Sequence, residues 1–189
     1  MNGCAMIEDD LWDSLDDALK ELKRIREPGL EFTDPSLEIL GFYQGAERLN
    51  SLPWIGRGLS ATVVARQPLS LSLKNRADYR AFIRRLALVT RGRFSPWKWD
   101  RGPVLTLAVV CLTAEPIEAD DDQILAEILN HQDRRAAVIM GIIRLNLAQE
   151  AMAAALKQPP GDRFNDAATI AETLSTKFRR FVPLFNPEP

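Results

Sequence analysis

Two long apolar runs constrain the fold of this chain more than any other feature of the sequence. Residues 104–113 and 136–145 are almost wholly apolar and contain many β-branched side chains. Runs of this length and composition are typical of strands buried on both faces, as in a parallel sheet. Residues 59–66 predict a third strand, and helical patterns separate the three. The sequence therefore predicts an α/β protein with a mostly parallel central sheet of three to five strands flanked by helices.

Apolar residues that recur every three or four positions predict the helices. Residues 8–26 carry such a stripe, with acids in the first turn and bases in the last, which predicts an N-terminal amphipathic helix. Residues 146–157 predict another helix, with Asn146 as its N-cap. The other predicted segments are helices over 75–89, after 120–122 and over 165–180, a loop over 91–103, a strand or short helix over 37–43, and the unassigned residues 44–58.

The composition describes a globular chain. Of the 189 residues, 46% are apolar and 26% are charged, which excludes disordered and fibrous classes. No apolar run reaches the roughly 18 residues that a membrane-spanning helix requires, and the N-terminal residues do not resemble a secretion signal. Two cysteines are too few for a disulfide framework, and Cys111 is expected to be a small buried core residue. We therefore expect a cytoplasmic protein that does not act at a membrane.

The domain organisation is predicted from the same patterns. Residues 1–29 form an acidic amphipathic helix that packs on the domain or on a partner, and residues 30–182 form a single α/β domain. Residues 183–189 are a proline-rich tail.

Charge is strongly segregated along the chain although the net charge is only −2. Residues 1–50 contain twelve acids and five bases, whereas residues 51–110 contain two acids and eleven bases. Residues 111–189 are again acidic, with twelve acids and eight bases. Either the acidic and basic parts face each other in the fold, or the basic middle part meets an anionic partner.

The ends of the three predicted strands suggest a site for a small anionic ligand. In open parallel sheets, ligands bind outside the carboxyl ends of the strands. Those ends would bring together four polar residues, namely Arg66, Glu115, Arg144 and Asn146. Two arginines beside a helix N-terminus favour an anion, unless the charges only form ion pairs at the rim of the sheet.

A second candidate surface combines bases with aromatic residues. Residues 91–101 interleave four bases with three aromatic side chains, a combination that binds single-stranded nucleic acid. The alternative is a loop whose tryptophans fold back on the core. The residues predicted for this nucleic-acid or partner surface are Arg76, Arg80, Arg84, Arg91, Arg93, Trp97, Lys98, Trp99 and Arg101.

No catalytic or metal-binding motif emerges from the sequence. The single histidine, His131, has no partners in the spacing of a zinc site or a catalytic triad. Residues 56–61 match a dinucleotide-binding string, but a strand follows them where that motif requires a helix. We therefore predict no cofactor and no metal. The predicted function is that of a non-catalytic protein that binds a macromolecular partner, a protein or a second copy of itself, in an accessory or regulatory role. The alternatives are a binder of single-stranded nucleic acid through residues 91–101 and an enzyme or receptor for a small anionic ligand at the strand ends.

Overall fold

The chain forms a seven-stranded sheet with helices on both faces. The computed structural model describes residues 3–20, 25–28, 37–48, 57–94, 105–131, 137–157 and 166–180. In chain order the elements are α1 (Gly3–Lys20), β1 (Ile25–Pro28), β2 (Glu38–Arg48), β3 (Arg57–Arg66), α2 (Arg76–Phe94), β4 (Leu105–Leu112), α3 (Asp121–Asn130), β5 (Val138–Asn146), β6 (Ala151–Leu156), α4 (Asp166–Ser175) and β7 (Arg179–Arg180).

The sheet is mixed, which corrects the prediction of a mostly parallel one. Its strands lie side by side in chain order from β1 to β7. The pairs β3–β4, β4–β5 and β6–β7 are parallel, whereas β1–β2, β2–β3 and β5–β6 are antiparallel. Five strands, β2 to β6, have six or more residues, and the short strands β1 and β7 extend the two edges. The two apolar runs that predicted buried parallel strands are β4 and β5, at the centre.

The sheet separates two hydrophobic cores. On one face, α2 and α3 cover alternate residues of the central strands, such as Val63 and Val109. On the other face, α1 and α4 cover the residues between them, such as Val64 and Val110. The central strands are therefore apolar on both sides because both faces are covered. Cys111 lies in the first core, where burial raises the pKa of its thiol to about 12.

The predicted helix over residues 146–157 is wrong. Asn146 ends β5, a turn follows, and β6 returns antiparallel with Ala151 opposite Asn146. Glu150 in this turn has a φ of 49°, in the left-handed region. The sequence of β6 is AMAAAL, which favours a helix by intrinsic propensity. Its side chains are buried alternately in both cores, and this packing overrides the propensity.

The predicted N-terminal helix is also placed differently from expectation. The described helix ends at Lys20, and Ile25 and Arg26 belong to the edge strand β1 rather than to the last helical turn. Leu11, Leu15 and Leu19 are fully buried against α4 and the sheet.

Polar contacts tie α1 to the edge of the sheet. The hydroxyl of Tyr43 on β2 donates a hydrogen bond to Asp16 on α1, and burial together with this carboxylate raises the pKa of Tyr43. The guanidinium of Arg26 lies 4.1 Å from the centre of the Trp12 ring and 3.5 Å from Asp16. These contacts join α1 to β1 and β2.

The acidic and the basic helix lie on opposite faces of the sheet. The sequence of α1 contains six acids and one base, and that of α2 contains six arginines and one acid. Because α1 packs in one core and α2 in the other, they do not face each other. Within the described ranges, every helix falls short of the length or hydropathy that a bilayer crossing requires.

Candidate functional site

The carboxyl ends of β3, β4 and β5 meet at one edge of the sheet, as the sequence predicts. Their register places Ala65, Cys111 and Arg144 in one row across the sheet. Arg66 lies in the next row, opposite Leu112. Successive side chains of a strand point to opposite faces. Arg66 and Arg144 therefore lie on different faces of the sheet and do not form a common pair.

Arg144 is a fully buried cation in a polar network. Its side chain is 0% exposed. Its Nη1 donates to Oδ2 of Asp121 at 2.5 Å, its Nε donates to Oε1 of Gln67 at 3.2 Å, and its Nη2 donates to Glu115. Asp121 is the first residue of α3, so the guanidinium lies at a helix N-terminus beside two carboxylates. The positive charge of Arg144 is therefore compensated by Asp121 and Glu115 within the protein.

Glu115 connects this network to the loop between β3 and α2. Oε1 of Glu115 accepts a hydrogen bond from Ser72 Oγ at 2.5 Å, and Oε2 accepts from Leu73 N at 3.1 Å and Gln67 Nε2 at 3.2 Å. Burial favours the neutral acid, but these hydrogen bonds and the Arg144 charge outweigh it and hold the pKa of Glu115 below its ordinary range. One carboxylate therefore fixes the loop and compensates Arg144.

The stability of the protein is expected to fall in acid because of Glu115. A depressed pKa contributes stability above the ordinary glutamate pKa of about 4.3, and this contribution is lost as the pH falls through the folded value. Asp121 acts with the opposite sign, because burial raises its pKa despite the Arg144 charge. Urea unfolding between pH 3 and 7 should show a shallower acid loss for Glu115→Gln than for the natural protein. Parallel curves would contradict this account of Glu115.

On the other face of the sheet, Arg66 lies between two carboxylates. Its Nε donates to Glu38 Oε1 of β2 at 2.9 Å, and its Nη2 lies 3.6 Å from Glu8 Oε1 of α1. The Arg66 side chain is 44% exposed. These three residues carry a net negative charge at the rim of the sheet.

A groove opens beside Arg66 at the same edge. Its volume is about 380 Å³, and a smaller groove of about 230 Å³ adjoins it along the loop 67–69. The apolar part of its lining is Pro68, Leu69, Leu112, Ala114, Leu147 and Ala148. Leu69 is 92% exposed. The sequence predicts a site at this edge but gives no sign of Leu69, because an exposed leucine in a loop has no pattern of its own.

The uncharged polar residues of the groove are hydrogen-bonded within the protein. Asn146 Nδ2 donates to the carbonyl oxygen of Glu115 at 3.0 Å, and Asn146 Oδ1 accepts from Gln149 N at 3.0 Å. Thr113 Oγ1 accepts from Glu115 N at 3.0 Å. Gln67 Nε2 also donates to Leu71 O at 2.6 Å. A ligand in this groove therefore meets chiefly apolar surface, with charge at the rim.

The predicted basic and aromatic surface is described only in part. Arg76 lies at the start of α2 and pairs with Glu127 of α3 at 2.5 Å. Arg84 and Arg91 are exposed along α2, and Arg80 is half-buried. Arg93 belongs to α2, which extends through residues 91–94 where a loop was predicted. Outside the described residues lie Trp97, Lys98, Trp99 and Arg101.

Two further polar residues, Asn75 and His131, make contacts with the protein backbone at the ends of helices. Asn75 Oδ1 accepts from Asp78 N at 3.4 Å, which is the contact of an N-cap of α2. His131 follows α3, where its Nδ1 lies 2.7 Å from the carbonyl oxygen of Glu127. Across the part of the chain that the structure describes, no three His, Cys, Asp or Glu side chains group so as to hold a metal ion.

The chain thus belongs to the class of α/β proteins with a groove at the carboxyl edge of the central strands. A scan against protein-family models found no match, and searches of curated proteins and of solved structures found none either. The site itself therefore carries the functional argument.

Proposed function

We propose that this protein is a binding protein whose edge groove receives an apolar side chain from a positively charged segment of a protein partner. The observation that carries the proposal is the almost complete exposure of Leu69 (92%) beside a groove of about 380 Å³. A large apolar side chain held in water at the mouth of a concave apolar site is typical of a recognition surface.

The shape and lining of the groove support an apolar contact. Its volume lies within the range of about 300–1,000 Å³ that ligand sites occupy. Pro68 and Leu69 line it from the loop after β3, and Leu147 and Ala148 line it from the turn after β5. The uncharged polar groups of the groove already make hydrogen bonds within the protein. An apolar side chain that enters the groove therefore strips water from few unpaired polar groups. Burial of apolar area contributes about 25 cal/mol per Å² before the costs of association.

The charge at the rim supports a positively charged partner. Glu8 and Glu38 flank the single charge of Arg66. Glu8 lies in α1, and three further acids of this helix, Asp9, Asp10 and Asp13, are exposed. Complementary charge of this kind accelerates association and selects among partners. Lysine or arginine residues on either side of the inserted apolar side chain would meet these carboxylates.

The same contacts favour a protein segment over a small anion. An anion at Arg66 would have to displace Glu38 or Glu8, and the other arginine of this edge, Arg144, is buried and already compensated by Asp121 and Glu115. Removing either partner of such a buried pair carries a large cost. A positively charged ligand could instead contact Glu8 and Glu38 while Arg66 keeps its place between them.

A binding measurement with defined peptides tests the proposal. Short labelled peptides with a central leucine, phenylalanine or tryptophan flanked by lysines are titrated with the protein, and fluorescence anisotropy is recorded. Peptides flanked by glutamates serve as the charge control. We expect the lysine-flanked peptides to bind, and Leu69→Ser to weaken them about tenfold because its side chain forms the groove wall.

Leu88→Ser is the matched control variant. Leu88 is the other large apolar side chain that is exposed among the described residues, at 48%, and it lies on α2 away from the groove. We expect this variant to bind as the natural protein does. Equal losses in the two variants, no binding of any peptide, or tighter binding of the glutamate-flanked peptides would overturn the proposal. The last result would favour the anionic ligand at Arg66.

A further inference from the structure

The sequence of α2 concentrates positive charge on one helix. The helix contains six arginines, no lysine and a single acid, Asp78. Asp78 lies in the first turn, where Asn75 Nδ2 donates to it at 2.5 Å. We propose that the exposed surface of α2 binds the phosphate backbone of a nucleic acid, independently of the edge groove.

Positions 80, 84 and 91 follow one side of α2, and Arg85 lies about 100° around the helix from Arg84. Arg84, Arg85 and Arg91 are exposed, and Arg80 is half-buried. With a rise of 1.5 Å per residue, positions 80 and 91 lie about 16 Å apart along the helix axis. This distance corresponds to roughly five phosphates of one strand, at 3.4 Å each along a duplex. The surface is thus long enough to meet several phosphates at once.

The kind of cation favours phosphate as the ligand. Arginine presents a planar fork of donors that binds phosphate oxygens in pairs, which lysine cannot do. Leu88 lies between Arg84 and Arg91 in the sequence and is 48% exposed, so apolar contact with sugars is available beside the charges. A protein that contacts phosphates in this way binds without sequence preference and loses affinity as salt rises.

The acidic helix lies away from this surface. The acidic helix α1 packs on the opposite face of the sheet and does not cover α2. At the start of the helix, Arg76 pairs with Glu127 of α3. The groove lies at the edge of the sheet and is lined by no residue of α2, so the two surfaces carry opposite charge and are altered by different substitutions.

The test is the binding of labelled 20-nucleotide DNA and RNA, single- and double-stranded, measured by anisotropy at several salt concentrations. The variant is Arg84→Glu/Arg91→Glu. The matched control is Lys20→Glu/Lys177→Glu, which makes the same change in net charge at exposed residues of α1 and just beyond α4. We expect binding to the natural protein, a loss of about tenfold or more in the α2 variant, and a change below about twofold in the control. Arg84→Ala/Arg91→Ala, with circular dichroism for both variants, separates a loss of contact from a loss of folding.

Several results would overturn the inference. They are no binding at low salt, equal losses in the α2 variant and the control, and competition by poly-glutamate as effective as that by nucleic acid at equal charge. The last result would assign the surface to an acidic protein instead. Because no α2 residue lines the groove, these outcomes leave the peptide measurements with Leu69→Ser unaffected.

Discussion

Replacement of Arg144 by methionine is expected to lower the free energy of unfolding by about 3–5 kcal/mol, because the change leaves Asp121 and Glu115 without their cation. Asp121 is 5% exposed and Glu115 is 28% exposed at their side chains, so water replaces the lost partner poorly. Gln67 Oε1 also loses the donor at 3.2 Å. Urea unfolding followed by circular dichroism measures the difference directly.

Arg66→Met is the matched control for this prediction. Arg66 also lies at the carboxyl end of a central strand and also contacts two acids, but its side chain is 44% exposed. Exposed ion pairs contribute about 0–1 kcal/mol, so a small loss is expected. Arg144→Lys should fall between the two, because the ammonium keeps the charge but not the fork of donors. Similar losses for Arg144→Met and Arg66→Met would show that burial of the network does not stabilise the fold as described.

Gly141→Ala is expected to destabilise the protein by about 1–3 kcal/mol, because it overpacks the contact between β5 and α4. A Cβ atom at this position would lie 2.6 Å from Cβ of Ala167 and 2.8 Å from Cδ2 of Leu156. The leucine side chain can move, but the Ala167 methyl is attached directly to the backbone of α4. Relief of the clash therefore requires the helix to move away from the sheet.

Gly92→Ala is the matched control, with the opposite sign. A Cβ atom there meets nothing within 4 Å, and the residue lies in α2. Alanine in place of glycine inside a helix contributes about 0.5–1 kcal/mol of stability. Thermal unfolding of both variants should thus shift in opposite directions. A Gly141→Ala protein as stable as the natural one would contradict the close packing of α4 on β5.

Periodicity and side-chain branching predicted the centre of the fold. The runs at β3, β4 and β5 are rich in β-branched residues and lie between helical stripes, so strands joined by helices follow from the residues alone. The junction of their carboxyl ends follows from the same reasoning. The sequence could not show which face each side chain occupies, because that depends on the register of the strands. Arg66 pairs with Leu112 of β4, whereas Arg144 pairs with Cys111, one residue earlier on the same strand.

The edges of the sheet were not predictable in the same way. The alanines of β6 favour a helix, and only the presence of a helical layer on each side makes a buried strand the better arrangement. Ile25 continued the apolar periodicity of the first helix, yet it belongs to β1. Local pattern and long-range pairing compete in such segments, and tertiary packing decides between them.

The sequence predicts where the carboxyl ends of β3, β4 and β5 meet, and not which contacts their residues make. The strand-end position followed from topology, but the roles of its residues came from contacts across the chain. Arg144 meets Asp121 of the next helix, and Arg66 meets Glu8 from the N-terminal helix. The exposure of Leu69 depends on how Glu115 fixes the loop at Ser72 and Leu73, a contact between residues more than forty positions apart.

The most direct test of the groove is a titration of ¹⁵N-labelled protein with a lysine-flanked leucine peptide, followed by the backbone amide shifts. We expect the largest shifts at Leu69, Ala114, Leu147 and Ala148, which line the groove, and small shifts along α2. The same titration of Leu69→Ser should require about tenfold more peptide. Shifts concentrated outside the groove, or no shifts at millimolar peptide, would contradict the account of this groove as a binding site.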